Sequence, residues 1–426
     1  MLHPSTRPQD DQQSRIDRPA PALPARASGP SRLTRRTFVA LSAAAAGAIA
    51  IGGRARTALA GHLPATPTVK RPPPSDDLVT EQETLLSFRC HGMQLEALSY
   101  PITPIGMHYL LIHWDVPRLD GINPYRVTLG GRVRTPLALT LDEIKAGPVV
   151  KQPSILECAG NGRAYLHPRP IYVPWFHEAI GTYEYTGTPL RPLLERAGLL
   201  DDAVEVVFSG WDEGIDLGVR HPFERSMPVE EALRDGVILA WEANGQPLPP
   251  QHGWPLRLVV PDWYGMASVK WLRAITGVNA PFEGVQQKKV YRLTQTADDP
   301  GSSVTRKSVR ALMQPPGIPD LFTRHRFLPS GSHMLNGMAW SGWGPIARVE
   351  VSVDGGTNWA DATLDKPVSP YAWTPWRFSW NGASAGEYEL VTRGTDAAGN
   401  VQPLEPYWTY QGMAQNGVQR IALTVA

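Results

Sequence analysis

The sequence predicts two domains assembled mostly from short strands, the second of them a β-sandwich of immunoglobulin-like size. Three observations carry this. A chain of 426 residues is long enough for two cores. Its 42 prolines and 39 glycines punctuate the chain every few residues while 14 tryptophans fill the space between elements, so long helices are scarce. From about residue 280 onward, alternating apolar and polar residues with an Asp-Gly turn replace any helical period.

Residues 1–60 are expected to be a leader rather than part of either core. The first half is rich in Pro, Arg and Ser and offers nothing to bury. Thr34-Arg35-Arg36-Thr37-Phe38-Val39 then leads into an Ala-rich apolar run, and Ala58-Leu59-Ala60 suits a signal peptidase. The run is shorter than the roughly 20 residues that span a bilayer. A cleaved twin-Arg signal is therefore expected, with a mature protein outside the inner membrane and no span left after cleavage. Residues 61–95 form an extended, Pro-rich arm, with a short helix expected over Glu81–Arg89 and Cys90 as an incidental or buried thiol.

Residues 103–114 read as a turn followed by a strand. On one regular strand His108 and His113 would point to opposite faces and share no metal site. Tyr125 to Val133 is a second strand, and Thr140 with Glu143 is a capping pair for a short helix.

Ser154-Ile155-Leu156-Glu157-Cys158-Ala159-Gly160-Asn161-Gly162-Arg163 is a strand end that delivers one of only two cysteines into a small-residue turn. Locally two readings stand: a small buried hydrophobe, or a thiolate that binds a soft metal or attacks a substrate, favoured by Arg163 and turn N–H groups. Beyond it, Gly198 ends a short helix, and Val204 to Asp212 is a strand that carries a carboxylate to its end. His252 and Arg257 bracket the entry to another strand, and Lys270 follows within the apolar run Val269 to Leu272. Lysine enters such surroundings only with a partner. Two cations and a neutral histidine converging on Gly- and Pro-rich loops point to a cofactor that bears phosphate. No GxGxxG or P-loop supports a dinucleotide or nucleoside triphosphate.

Charge excludes other classes. Lys plus Arg is 41 and Asp plus Glu 40, so no net field recruits nucleic acid or an anionic membrane. Two cysteines rule out a disulfide framework. In the last third, Trp340 to Trp359, Trp376 to Trp380, Glu387 to Thr392 and Arg420 to Val425 repeat the short-strand pattern of a sandwich without the Cys…Trp…Cys spacing of antibody domains.

Taken in order, Glu157 to Arg163, Asn244 to Arg257, Gly265 to Leu272 and Trp340 to Gly356 resemble the sulfite oxidase family of molybdenum enzymes, in particular exported bacterial members without a fused haem domain. The resemblance implies an α+β molybdopterin-binding domain over 96–280 and a sandwich domain over 281–426 that mediates dimers. It implies one molybdenum on a pyranopterin dithiolene, with Cys158 as the protein ligand. His113, His252, Arg257 and Lys270 would contact the pterin or its phosphate, and Asp212 would be a hydrogen-bond partner. Arg163 would sit beside the substrate anion and Tyr291 near the metal. The implied reaction is two-electron oxygen-atom transfer to sulfite or a related sulfur compound, with electrons leaving to an external carrier such as cytochrome c. The implied assembly is a homodimer or a heteromer with a haem subunit; the chain itself has no CxxCH for a c-type haem. One position departs from the family: Leu111-Ile112-His113 stands where Arg-Asn-His is usual, so the pocket has one substrate cation fewer.

Overall fold

A computed structural model describes residues 89–426. The expected twin-Arg leader, all but the last residue of the helix expected over Glu81–Arg89, and most of the arm lie outside the described residues. Among the described residues no helix is long and apolar enough to cross a membrane, which says nothing of β-barrels.

The protein is a mixed α+β chain in which a region with two five-stranded sheets precedes a β-sandwich. In the first sheet Val150–Glu157 pairs antiparallel with Ile180–Pro189, which pairs in turn with Ile238–Ala243. The last of these also carries Arg257–Val259. Ser154, Ile155, Leu156 and Glu157 are all buried, as a strand covered on both faces must be. The second sheet runs Leu137–Thr140, Arg126–Gly131, Leu272–Val278, Glu205–Asp216 and Val219–Pro228. Its pairing of Arg126–Gly131 with Leu272–Val278 is parallel and joins residues far apart in sequence. One apolar core, including Leu129, Phe208, Leu258, Trp271 and Ile275, lies between these layers.

Helices are short. Leu141–Lys145 starts at the expected capping box, in which Thr140 Oγ1 accepts the Glu143 N–H at 3.2 Å and Glu143 Oε2 accepts the Thr140 N–H at 2.7 Å. Arg191–Ala197 ends at Gly198, whose φ of 67° is left-handed.

The sandwich faces a four-stranded sheet (Arg310–Met313, Gly331–Trp340, Thr374–Ala383, Thr363–Leu364) against a six-stranded one that includes Ile346–Ser352, Gly386–Asp396 and Arg420–Val425. Leu335 and Trp376 from one sheet meet Val349, Leu390 and Leu423 from the other in a separate core. The Asp-Gly turn is present: Asp354 Oδ1 accepts from the backbone of Thr357 and Asn358 and so closes the loop between Ile346–Ser352 and Ala360–Asp361.

Three local expectations change. The strand at 103–114 shrinks to Leu110–Leu111, paired with Cys90–His91, so the backbone after Leu111 is free to turn. Lys270 precedes its strand, which starts only at Leu272, because Trp271 takes a positive φ of 49°. Asp212 lies inside a strand that continues to Asp216, at a register shift between Ser209 and Glu213 that re-aims side chains.

Candidate functional site

Cys158 stands one residue beyond the strand Val150–Glu157, where the chain leaves the sheet. Its N–H still bonds Ala179 O at 2.9 Å, and its carbonyl accepts the Asn161 N–H at 3.0 Å to close the turn. Asn161 locks the same turn through its side chain, donating to Glu157 Oε1 at 3.0 Å and accepting the Ala179 N–H at 3.1 Å. Gly160 is required here, because a Cβ at that position would run into the Arg163 guanidinium. Burial pushes the Cys158 thiol up; the Arg163 charge and the Gly160 N–H oppose this, as does the Trp175 indole N–H, which faces the sulfur without closing a bond within hydrogen-bond limits.

Cys158 opens on a cleft. The same cleft is lined by His113, Asp212, His252, Arg257, Lys270 and Tyr291, so residues from five separate stretches of the sequence converge with Cys158. His113 Nε2 and the Tyr291 hydroxyl are hydrogen-bonded at 2.7 Å, and Phe223 packs on the imidazole with ring centroids 4.8 Å apart. Arg257 donates to His252 O and Ser268 O, each at 3.0 Å. Lys270 Nζ donates to Leu111 O at 2.9 Å and Gln251 O at 3.1 Å. Gly253, at φ 109°, leaves room for the stems of Arg257 and Lys270, which a Cβ would approach to 3.1 Å. Asp212 Oδ1 is buried without a hydrogen-bond partner. Burial raises the Asp212 carboxyl and lowers the Lys270 ammonium, and each opposes the shift of the other.

His108 also lines the cleft, although alternation on a strand would have turned it away from His113. The two share a cavity because the strand stops at Leu111. His108 Nδ1 lies 2.9 Å from Tyr109 O and so carries the proton. Burial is the largest cause that lowers all three histidines: His108 to about 4, His113 to about 3 and His252 to about 2. All are neutral at working pH. Because their folded values lie below the ordinary 6.5, the unfolded chain takes up protons first as pH falls, and stability drops below pH 6.5. Each histidine adds about 1.4 kcal/mol per pH unit down to its folded value. Urea midpoints of metal-free protein at pH 7.5 and pH 5 are expected to show this loss, whereas equal midpoints would place the histidines in contact with water.

Arg163 is not among the residues lining the cleft. It donates from Nε to Gln411 O at 3.0 Å, from Nη1 to Val173 O at 2.9 Å and from Nη2 to Met413 Sδ at 3.4 Å, and it stacks on Tyr172. Its charge still acts on Cys158 and Tyr291. Leu111 lines the cleft, and Cys90 is its partner on the neighbouring strand. Burial, then the proximity of Cys158, raises the Cys90 thiol to about 11. Trp175, Phe223 and Ser268 escaped the sequence reading, since no local pattern ties them to Cys158.

Among the described residues no three His, Cys, Asp or Glu side chains gather to hold a metal ion. A metal here needs most of its donors from a cofactor, and the buried thiol of Cys158, facing the cleft, can supply the remaining one. Arg257 and Lys270, the neutral histidines and the unpartnered Asp212 oxygen suit an anionic, hydrogen-bonding organic group. The residues thus fit a molybdopterin.

Comparisons with known proteins agree. Residues 113–286 match the family described as "Oxidoreductase molybdopterin binding domain", and residues 323–426 match "Mo-co oxidoreductase dimerisation domain". The chain is similar to mitochondrial sulfite oxidase of Macaca fascicularis, 33% identical over 76% of this chain and 62% of that protein. It is also similar to the NADH nitrate reductase of Hordeum vulgare, 31% identical over 76% of this chain and 38% of that protein. The chain thus spans less than two thirds of the length of these curated relatives. The crystal structure of the sulfane dehydrogenase SoxCD from Paracoccus pantotrophus superposes with a TM-score of 0.65 at 26% identity, covering 88% of this chain and 96% of that one.

Proposed function

Because this chain belongs to the molybdopterin oxidoreductases of the sulfite oxidase family, we propose that it transfers an oxygen atom to sulfite or a related sulfur compound. The observation that supports this most is the convergence of Cys158 with His113, Asp212, His252, Arg257, Lys270 and Tyr291 on one cleft. In this proposal Cys158 is the sole protein ligand of molybdenum. When bound, the molybdenum pyranopterin supplies oxygen-atom transfer coupled to the departure of two electrons. Arg257 and Lys270, both fixed by carbonyls, would hold an anionic group of the cofactor, and Asp212 would accept a hydrogen bond from it. The His113–Tyr291 hydrogen bond fixes a hydroxyl in the cleft, where it would lie near the bound cofactor. Arg163 contributes positive potential from behind the Cys158 turn.

Sulfite oxidation balances as SO₃²⁻ + H₂O → SO₄²⁻ + 2H⁺ + 2e⁻. The electrons pass one at a time to an external haem protein of the cytochrome c class. The mature enzyme works in the periplasm after twin-Arg export, as a homodimer or with a haem subunit.

A second reading keeps the fold and cofactor but changes the substrate to a less charged molecule, or runs the reaction as a reduction. Two placements favour it: Leu111 lines the cleft where the family has a cation, and Arg163 spends an N–H from each of its nitrogens on partners outside it. Metal analysis of the mature protein, followed on the same sample by sulfite oxidation with an artificial one-electron acceptor, separates the two. Molybdenum near one per chain with rapid turnover supports sulfite. Molybdenum without turnover supports the second reading, and no molybdenum in matured protein defeats both.

A further inference from the structure

Beneath the Cys158 turn, on the side away from the cleft, a second and much smaller cavity is lined by Gly162, Tyr165, His177, Arg310, Gln415 and the chain around Gly417. Three of its polar side chains are almost wholly buried: Arg310 at 1% exposure, Gln415 at 2% and His177 at 4%. Each has atoms without a hydrogen-bond partner, namely Arg310 Nε and Nη1, both ring nitrogens of His177 and Gln415 Oε1. Buried polar atoms left unpaired in this number are costly, so their convergence on one cavity implies an occupant.

Charge indicates its sign. Three ionisable side chains at 1% exposure or less meet at this seam: Glu157, Lys307 and Arg310. Glu157 Oε1 lies 3.5 Å from Arg310 Nε, and Lys307 Nζ donates to Trp263 O at 3.0 Å. Asp262, the next carboxylate toward Lys307, is already paired with Arg234 at 2.8 Å. The charge of Asp262 acts on Lys307 before that of Glu157. Counting Arg234 and Arg306 with Glu231, four cations (Arg234, Arg306, Lys307, Arg310) meet three carboxylates (Glu157, Glu231, Asp262) along the seam. Arg310, its Nε turned to Glu157, keeps Nη1 without a partner. Glu178 lines the outer groove rather than this cavity. Tyr165 and His177 line both, which gives a small ion a way in.

We propose that this cavity is a binding site for a single halide-sized anion, chloride under physiological conditions, held by Arg310 and an N–H of His177. A companion water donates to Gln415 Oε1. The anion balances the seam and fixes the turn that carries Cys158, because Arg310 Nη2 also donates to Asn161 O at 3.3 Å. The site is independent of which substrate the enzyme oxidises.

The test uses crystals and solutions of the mature holoenzyme with bromide as the probe. One anomalous bromide peak between Arg310 and His177 is expected. The thermal midpoint should rise by a few degrees with chloride and saturate, at ionic strength held constant with gluconate. His177→Phe, which keeps the stack on Tyr165, is expected to weaken the chloride dependence at least tenfold while the protein still folds. Water alone in the cavity with no bromide signal would overturn the proposal. So would a midpoint that follows ionic strength whatever the anion.

Discussion

Cys158→Ala is expected to leave a folded protein that has lost its molybdenum. Metal content should fall from about one per chain to near zero, and turnover by at least about 10³-fold, because no second thiolate or three-residue ligand set among the described residues lines the cleft to replace it. The fold should survive: the substitution removes one sulfur from an apolar cluster with Leu156, Trp175 and Tyr183, a loss of about 1 kcal/mol. Metal analysis and far-UV circular dichroism on the same preparation check both halves. Unchanged molybdenum in a folded variant would remove Cys158 from the ligand role.

Glu157→Gln is expected to give the largest loss of stability of any single substitution beside the site. Its carboxylate accepts from Asn161 Nδ2 at 3.0 Å and Trp340 Nε1 at 2.8 Å, with Arg310 at 3.5 Å, all buried. An amide keeps one acceptor oxygen but turns a donor toward Trp340 or Asn161 and takes away the buried counter-charge of Arg310. Removing one partner of a buried ion pair costs roughly 3–5 kcal/mol. Chemical denaturation should show that loss, and molybdenum content should drop with it, since the same carboxylate steadies the Cys158 turn. A change below about 1 kcal/mol would mean that the seam is wet and the charges screened.

What the sequence disclosed, and what it hid, divides along a physical line. The Cys158 turn, the His252 to Arg257 stretch and the Asp354-Gly355 hairpin are each contiguous, and their chemistry is set by neighbours a few residues away. The parallel pairing of Arg126–Gly131 with Leu272–Val278 has no such local signature. The same holds for the Arg163 side chain, whose direction is decided by the carbonyls of Val173 and Gln411 and the sulfur of Met413. A period of two puts His108 and His113 on opposite faces, but it presumes a strand, and here the strand stops at Leu111. The Glu157–Arg310 seam joins the two halves of the chain, and neither half reveals it alone.

The walls of the cleft come from residues between His108 and Tyr291, and the distant parallel pairing of Arg126–Gly131 with Leu272–Val278 joins strands from that same span. Such pairing closes late, because a long loop must be ordered before any contact rewards it. A bound molybdopterin would therefore stabilise chiefly the assembled protein, adding its binding free energy to the native state. Loaded enzyme should accordingly open more slowly than empty enzyme, and its resistance to protease would record occupancy as a lifetime.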